Sequence, residues 1–337
     1  MKHSIFAFVS AASFAMIVSA CNGGSTGSVD NSKKPVLYGM KCEFVPDGQQ
    51  AVIFGSNLAG AEVIFPDSSS SGIKVAADPS SSDSVLNVMV PVGSTSGKIK
   101  VIASGDTISS KFQFRDKRNL LIDFDSKRAT WGGFDPYNEN EDGEQVLATT
   151  VLLDSAVKLP AQLPEACSGN YALLFGRYNR AWSMSQSMYI QYVANPLDGG
   201  RGDHSVAGPF EGYEAKDLAL KFEVFIPKES PYKKVHTEIF FGPYDAPDKH
   251  GRDRVPIYFW EPFANTGSYS TDGWQTITVP LSDFTHGVNS AEERFPTPIN
   301  LKKSTNFSFV QFGDAVDSAD DFIFMCLDNF RIVPIAE

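Results

Sequence analysis

The chain has 337 residues and a formal net charge of −11, and it contains 42% hydrophobic and 12% aromatic residues, among them 26 Phe. The acidic charge and the lack of a basic cluster argue against binding to nucleic acid and against adsorption to anionic lipid. The length allows two domains of ordinary size, and the hydrophobic fraction is typical of a globular protein.

The first 20 residues are predicted to be a secretion signal. Residues 5–18 form an apolar run that is too short to remain as a membrane-spanning helix. The run ends in the sequence Val-Ser-Ala-Cys, which resembles a bacterial lipobox. This resemblance implies that Cys21 is acylated and becomes the new N-terminus. The alternative is an ordinary signal peptide that happens to be followed by a cysteine.

Residues 21–34 are predicted to form a lipid-anchored, flexible tether. Gly, Ser and Asn dominate the segment, and Val29 is its one large apolar residue. Such a composition cannot bury a core, so we expect the segment to hold the folded part of the chain away from the membrane.

Three cysteines follow Cys21, namely Cys42, Cys167 and Cys326. Three thiols cannot all pair with one another, and no CxxC spacing indicates a metal site. Cys326 lies in the apolar run Phe-Ile-Phe-Met-Cys-Leu and is interpreted as a small buried hydrophobic residue. A bridge between Cys167 and Cys326 is left open.

Residues 35–116 are predicted to form an immunoglobulin-like β-sandwich. Short apolar runs alternate with Gly, Ser, Pro and Asp, as in half-buried antiparallel strands joined by turns. The residues that alternate most clearly are Leu86, Val88, Val90, Ile99, Val101, Ala103, Phe112 and Phe114. About seven such strands in roughly 80 residues is the strand content of an immunoglobulin-like domain.

This segment resembles an IPT/TIG domain. The residues that carry the resemblance are Gly55-Ser56-Asn57-Leu58, Gly60-Ala61 and the strand end Val90-Pro91. The resemblance implies an immunoglobulin-like fold and the role of a spacer or an interaction module.

Residues 117–337 are predicted to form a larger β-sandwich of the jelly-roll type. Roughly ten strand-like runs, richer in aromatic residues, follow one another here without a repeat of fixed period. In residues 218–227 one face of a strand is predicted to carry Leu218, Leu220, Phe222, Val224 and Ile226, whereas Lys221 and Glu223 lie on the opposite face. The fold class predicted for the whole chain is therefore all-β, with a smaller sandwich followed by a larger one.

Three pieces of the larger segment resemble carbohydrate-binding jelly rolls. They are residues 120–125, residues 273–284 and residues 327–334. Together with the lipobox and the IPT/TIG-like segment, they make the chain similar to the surface glycan-binding lipoproteins of Bacteroidetes polysaccharide-utilisation systems. Among these, the chain most resembles proteins whose C-terminal domain is of the xyloglucan-binding type.

The resemblance implies a non-catalytic protein that captures a β-glucan, xyloglucan or a mannan-like polysaccharide for uptake and degradation. It also implies a monomer that is lipid-anchored in the outer membrane and faces the cell exterior. The partners that it implies are a polysaccharide or oligosaccharide ligand, an outer-membrane glycan transporter and surface glycosidases.

Aromatic side chains are the candidate glycan contacts, because sugar rings present apolar C–H faces and polar edges. The residues predicted to bind glycan are Trp182, Trp260, Trp131, Tyr178 and Tyr213, with Tyr137 as a further candidate. The alternative for Trp182 is a cap on the edge of the core, and both a platform and a core position are left open for Trp131 and Trp260. Trp274 begins a regular strand and is interpreted as a core residue.

No sequence pattern marks a catalytic site. The chain has 40 acidic residues without a distinguishable pair, and its histidines form no metal-binding motif. The chain is therefore predicted not to be an enzyme. A glycosidase or lyase with unmarked carboxylates is one alternative, and a structural or adhesive surface protein is another.

No cofactor is predicted. Residues 138–143 place oxygen ligands at alternate positions before a glycine, as at the start of a calcium loop. Asn138 at the first position and Thr149 at the twelfth do not fit an EF-hand. A solvated acidic loop is the preferred interpretation, and a structural calcium ion is the alternative.

Overall fold

The computed structural model describes residues 34–126, 131–133, 161–177, 189–194, 196–197, 201–202, 204–233, 236–242, 255–288, 294–312 and 322–336. Residues 34–337 form one compact unit. The described residues form β-strands joined by turns and short 3-10 helices, which confirms the predicted all-β class.

The strands of the described residues are, in chain order, β1 Val36–Met40, β2 Gln50–Ser56, β3 Glu62–Phe65, β4 Ile73–Ala76, β5 Val85–Met89, β6 Lys100–Ala103, β7 Asp106–Ser109, β8 Leu120–Ile122, β9 Trp131–Gly133, β10 Ala172–Arg177, β11 Tyr189–Val193, β12 Pro196–Leu197, β13 Arg201–Gly202, β14 Leu218–Phe225, β15 His236–Gly242, β16 Ile257–Trp260, β17 Gln275–Pro280, β18 His286–Val288, β19 Arg294–Pro296, β20 Asn306–Phe312 and β21 Phe322–Pro334. The 3-10 helices of the described residues are Gly208–Phe210, Ala215–Asp217, Leu281–Asp283 and Leu301–Lys303.

Two sheets near the start of the described chain form a first sandwich. Their strand orders are β1-β2-β5 and β4-β3-β6-β7. Alternate residues of both sheets fill one core, and Leu86 and Val88 are buried in it as their spacing predicts. The rings of Phe65 and Phe114 meet edge to face in this core, with centroids 5.3 Å apart. Burial of alternate residues from two facing sheets is what stabilises a sandwich of this kind.

The Gly-Ser-Asn-Leu sequence closes one end of this sandwich. A Cβ atom on Gly55 would collide with a backbone oxygen of β1, so only glycine fits. Asn57 adopts a left-handed conformation with φ 57°, its backbone N–H donates to Asp83 at 3.2 Å and its side chain donates to the Lys34 carbonyl at 2.9 Å. Leu58 then enters the core. The motif is therefore explained by local backbone geometry and packing.

The later strands form a second, larger sandwich. One of its sheets has the order β10-β21-β14-β17, with β8 also paired to β21, and the facing sheet has the order β19-β18-β16-β15-β20-β11-β9. Phe222 of the first of these sheets packs against Phe309 of the second, with ring centroids 5.6 Å apart. Phe330 stacks on Phe222 at 5.3 Å, so aromatic rings form the centre of this core.

A bulge in β21 changes which side chains share a face. Lys221 pairs with Arg331 and Glu223 pairs with Asp328, so two steps along β14 correspond to three steps along β21. Asn329 takes up the extra residue in a left-handed conformation with φ 51°. Asp328 and Arg331 therefore lie on the same face although they are three residues apart.

The bulge assembles a buried ionic network between the two sandwiches. Arg331 donates to Glu43 of the first sandwich at 2.7 Å and to Glu223 at 2.8 Å. Lys221 also donates to Glu43, and Thr276 donates to Glu223 at 2.7 Å. The side chains of the four charged residues are no more than 7% exposed. The face of β14 that carries Lys221 and Glu223 is thus covered by the first sandwich.

Charge pairing and burial act against each other in this network. Burial would raise the pKa of Glu43, but Lys221 and Arg331 outweigh it and hold this pKa below its ordinary value. Burial raises the pKa of Glu223, and Arg331 offsets only part of that effect. Burial also raises the pKa of Asp328 well above its ordinary value, and the nearby Glu223 adds to the shift.

Trp274 lies directly before β17 and is only partly buried. It contacts the core of the first sandwich and also a small cluster that contains Tyr171 and Phe324 of the larger one. Its indole N–H donates to the Glu165 carbonyl at 2.8 Å. Its core position is therefore shared between the two sandwiches.

Candidate functional site

The seven-stranded sheet formed by the described residues, β19-β18-β16-β15-β20-β11-β9, has an apolar cluster on each face. Ile239 and Phe309 point into the core of the larger sandwich. Because side chains alternate along a strand, their neighbours point to the other face. The members of the cluster on that face, here called the outer-face cluster, are Phe240, Val255, Ile257, Val310 and the partly buried Phe259.

Arg294 of the edge strand β19 lies over this cluster. The central carbon of its guanidinium group is 3.9 Å from the centroid of the Phe259 ring, which is a cation–π contact. Arg294 is exposed. The members of the outer-face cluster other than Phe259 are buried. The contact therefore places a cationic group with several N–H donors beside the partly exposed ring of Phe259 at the edge of the cluster, and an aromatic ring next to polar donors is a combination that suits sugar binding.

Glu238 is a buried acidic residue at the outer-face cluster. It pairs with Phe259 in β16 and with Val310 in β20, so it lies on their face of the sheet. Its side chain is fully buried. Sequence reasoning missed this residue, since nothing distinguishes it among the 40 acidic residues of the chain.

Backbone pairing connects the outer-face cluster to Trp131 in the edge strand β9. Ile257 pairs with Phe240, Phe240 with Ser308, Ser308 with Gln191, and Gln191 with Trp131. Directly opposed residues in antiparallel strands occupy the same side of a sheet. The backbone position of Trp131 therefore lies at the end of a row of paired residues that begins at Ile257. The row crosses four gaps between neighbouring strands, which is a distance of about 19 Å.

Trp260 is a core residue, which corrects the prediction that it binds glycan. It is 5% exposed, and the centroid of its ring lies 5.6 Å from those of Phe222 and Tyr232. The reason is its position in β16, since Phe259 points to the outer face and the next residue must point inward.

Tyr213 is exposed at a different place, between two short 3-10 helices. It is 46% exposed, and its ring meets Phe210 edge to face at 5.4 Å. It lines an open surface groove of about 400 Å³ together with the polar residues Glu211, Asn300 and Lys302. A stacking role for Tyr213 stays a prediction.

Several predicted residues lie outside the part of the chain that the structure describes. They are Cys21, Tyr137, Tyr178, Trp182 and the acidic residues 138–143. Within the described ranges, no three His, Cys, Asp or Glu side chains are grouped as a metal site requires. The same ranges contain no helix that is long and apolar enough to cross a bilayer.

Residues 114–334 match a family model described as the surface glycan-binding protein B xyloglucan binding domain. The chain belongs to this family. Membership in the surface glycan-binding protein B family confirms the resemblance stated for the larger sandwich and gives glycan binding at the cell surface as the function. The IPT/TIG resemblance of residues 35–116 stays a prediction.

Solved structures of surface glycan-binding proteins B share this fold. The chain is similar to PbSGBP-B from Prevotella bryantii, with a TM-score of 0.58 and 18% identity over 89% of this chain and 76% of that chain. It is similar to SGBP-B from a complex xyloglucan utilization locus in Bacteroides uniformis, with a TM-score of 0.52 and 15% identity over 89% and 73% of the two chains.

A third similar structure contains a xylogluco-oligosaccharide and has a TM-score of 0.52 at 18% identity. The alignment covers 89% of this chain and 58% of that longer chain. At these identities the likeness shows the fold alone. No curated protein matches the sequence.

Proposed function

We propose that this chain is a non-catalytic cell-surface lipoprotein that captures a β-glucan for uptake and degradation, with xyloglucan as the first candidate and a mannan-like polysaccharide as the alternative. The observation that carries the proposal is the outer face of the seven-stranded sheet. It combines the apolar cluster, the cation–π pair of Arg294 and Phe259, and the row of paired residues that leads to Trp131.

The choice of xyloglucan rests on the relatives. The matching family model is described by xyloglucan binding, one similar structure comes from a xyloglucan utilization locus, and another contains a xylogluco-oligosaccharide. Stacking on an aromatic face tolerates different hexoses, so polar groups such as Arg294 are proposed to select the glycan.

The non-catalytic part of the proposal is supported by the placement of buried acids. Glycoside hydrolysis commonly uses two carboxylates that flank the scissile bond. Glu43 and Glu223 are held in ion pairs between the sandwiches, on the opposite side of the larger sandwich from the outer-face cluster. Glu238 lies at that cluster and is paired along the sheet with apolar residues.

The remaining parts of the proposal concern the rest of the chain. Residues 35–116 act as an IPT/TIG-like spacer, and residues 117–337 bind the glycan. Acylated Cys21 and the tether that follows it hold a monomer at the outer membrane. The captured chain is passed to an outer-membrane transporter and to surface glycosidases.

Calorimetry and affinity electrophoresis of residues 34–337 with xyloglucan, other β-glucans and mannans test the proposal. We expect binding to one of these classes without release of reducing ends. We expect Trp131→Ala and Trp182→Ala to reduce affinity at least tenfold, which corresponds to about 1.4 kcal/mol each. Arg294→Ala should weaken binding and reduce the difference in affinity between one glycan and another.

Tyr38→Ala is the control for loss of an exposed aromatic ring, because Tyr38 is 45% exposed on the first sandwich. It should bind like the unchanged protein. The capture proposal is wrong if no polysaccharide of the panel binds, and the non-catalytic part is wrong if new reducing ends appear.

A further inference from the structure

A surface groove lies between the segment that precedes β14 and the segment that precedes β20. Its volume is about 400 Å³, and it is open to solvent. Neither segment is a strand of the seven-stranded sheet, so the groove is a surface separate from the outer-face cluster. Among the residues that line it are Glu211, Tyr213, Pro298, Ile299, Asn300 and Lys302.

The two walls of the groove are fixed to each other by hydrogen bonds. The Ser205 hydroxyl donates to the Leu301 carbonyl at 2.7 Å. The neighbouring Val206 N–H donates to the Ser304 carbonyl at 2.8 Å. Leu301 is buried in the core of the larger sandwich, and Ile299 packs against that core. The groove is therefore preformed, which lowers the entropic cost of binding a ligand there.

Tyr213 is held in place although its ring is exposed. Its backbone N–H donates to the Phe210 carbonyl at 2.9 Å, and its ring meets the Phe210 ring edge to face. The guanidinium carbon of Arg118 lies 5.6 Å from the centroid of Phe210, and Arg118 is paired with the buried Asp116 at 2.8 Å. Because these contacts already fix the ring, little side-chain entropy is lost when a ligand stacks on it.

The polar residues of the groove offer each kind of hydrogen bond that a sugar hydroxyl can use. The Glu211 carboxylate accepts, the Lys302 ammonium donates, and the Asn300 amide does both. All three residues are exposed. Because charges of both signs line the groove, it favours a neutral ligand over one with a net charge. A neutral sugar, with hydroxyl groups around an apolar ring face, matches both the polar residues and Tyr213.

The groove follows the outer face of the seven-stranded sheet along one stretch of chain. Arg294, which contacts Phe259, begins the edge strand β19, and that strand ends at Pro296. Two residues later, Pro298 lines the groove. Arg294 and Pro298 are four residues apart, so their Cα atoms are separated by at most about 14 Å. One polysaccharide chain that passes along this edge can therefore contact both surfaces.

We propose that the groove is a second sugar subsite, which binds the same neutral polysaccharide chain as the outer face of the sheet. This inference rests on the proposed function, since the outer face holds the first part of the chain. The Tyr213 ring stacks on one sugar unit, and Glu211, Asn300 and Lys302 bond to its hydroxyl groups. Once the outer face has bound one part of the chain, the next part meets the groove at a high effective concentration, so a weak second contact raises the overall affinity.

Calorimetry with residues 34–337 tests the proposal. The probes are xyloglucan oligosaccharides of increasing backbone length, with β-glucan and mannan oligosaccharides of the same lengths beside them. We expect the affinity of the unchanged protein to rise by about tenfold or more between oligosaccharides too short to reach from Arg294 to Pro298 and those long enough. Tyr213→Ala should remove most of this gain, and Tyr213→Phe should retain most of it because the ring is kept.

Tyr38→Ala is the matched control, because Tyr38 is 45% exposed but lies in β1 of the first sandwich. It should gain as much affinity with oligosaccharide length as the unchanged protein does. A Tm close to that of the unchanged protein shows that the Tyr213 variants are folded, as expected for a change at an exposed ring.

If Tyr213→Ala and the unchanged protein gain affinity equally with length, the subsite proposal is overturned while capture at the outer face stands. The same conclusion follows if the affinity of the unchanged protein does not increase with length. An equal loss in Tyr213→Ala for short and long oligosaccharides would place Tyr213 in the first site and would also overturn a separate subsite. If no glycan binds the unchanged protein, the proposed function itself is wrong and the subsite falls with it.

Discussion

Arg331, near the end of the chain, donates to Glu43 at 2.7 Å, and the two side chains are 0% and 5% exposed. This ion pair crosses from the larger sandwich to the first. Because both charges are removed from water, each depends on the other for its electrostatic stabilisation.

Glu43→Ala is therefore expected to destabilise the protein strongly. It leaves Arg331 and Lys221 buried with fewer partners, and breaking a buried pair from one side costs about 3–5 kcal/mol. Urea unfolding followed by tryptophan fluorescence measures the loss. Glu62→Ala is the control, since the Lys74–Glu62 pair is 52% and 44% exposed, and it should cost less than about 1 kcal/mol. Equal losses in the two variants would contradict this account of the network.

Asp328 should make the protein more stable as pH falls. Burial, with Glu223 nearby, raises its folded pKa, so the folded state binds the proton more tightly than the unfolded state does. The free energy of unfolding therefore rises as pH falls through the folded pKa, and the gain is complete below the unfolded pKa of about 3.9. Glu43, whose pKa is lowered, has the opposite effect on stability: its contribution to the free energy of unfolding is lost at acidic pH, as pH falls through its folded pKa.

Asp328→Asn keeps this position neutral at every pH. We expect it to reduce the loss of stability that occurs as pH rises from the unfolded pKa of about 3.9 through the raised folded pKa. The remaining loss comes from Glu223, whose pKa is also raised. Urea unfolding at a series of pH values measures the slope. Asp272→Asn, at a side chain that is 86% exposed, should leave the slope unchanged. If the free energy of unfolding changes with pH equally in Asp328→Asn and in the unchanged protein, Asp328 is not the source of the pH dependence.

Trp260→Phe should separate stability from binding. Trp260 fills the core between Phe222 and Phe309, so a smaller ring leaves a cavity and lowers the free energy of unfolding by about 1–3 kcal/mol. Calorimetry at a temperature where the variant is folded should give the affinity of the unchanged protein. A variant that is as stable as the unchanged protein but binds glycan at least tenfold more weakly would show that Trp260 contributes to glycan binding.

Tyr213→Ala tests whether the groove near the 3-10 helices contributes to binding. If a sugar stacks on this ring, affinity should fall about tenfold, or about 1.4 kcal/mol, while Tyr38→Ala leaves affinity unchanged. Affinity electrophoresis on xyloglucan compares the two variants side by side. Normal binding by Tyr213→Ala removes this residue from the site and leaves the outer face of the sheet as the candidate.

The alternation of apolar residues predicted the strands well, because each sandwich buries one face of every sheet. Leu86 and Val88 are buried as expected, and the apolar face of β14 lies in the larger core. Alternation also placed Lys221 and Glu223 on the opposite face correctly. It could not show that this face is covered by another sandwich, since a strand pattern gives the faces and not what packs against them.

The candidate site was harder to predict for the same reason. Trp260 and Phe259 are adjacent, and only the register of β16 decides which of them points outward. The Leu-Asp-Asn-Phe sequence belongs to one of the three pieces that carried the family resemblance. Its structural role is a bulge at Asn329 that brings Asp328 and Arg331 to one face, and this bulge depends on pairing with a strand far away in sequence. Arg294 reaches Phe259 across the sheet, a contact that no local pattern predicts.

The length of β21 has a mechanical consequence. The strand runs for 13 residues. Its first part pairs with β10, and a later part carries Arg331 to the first sandwich. In the proposed function one end of the protein is anchored while the other binds a polymer, so moving fluid would place the protein under tension. A force directed along β21 would load its hydrogen bonds to β10 and β14 in shear. Many of these bonds would have to break together before β21 separated from the sheet.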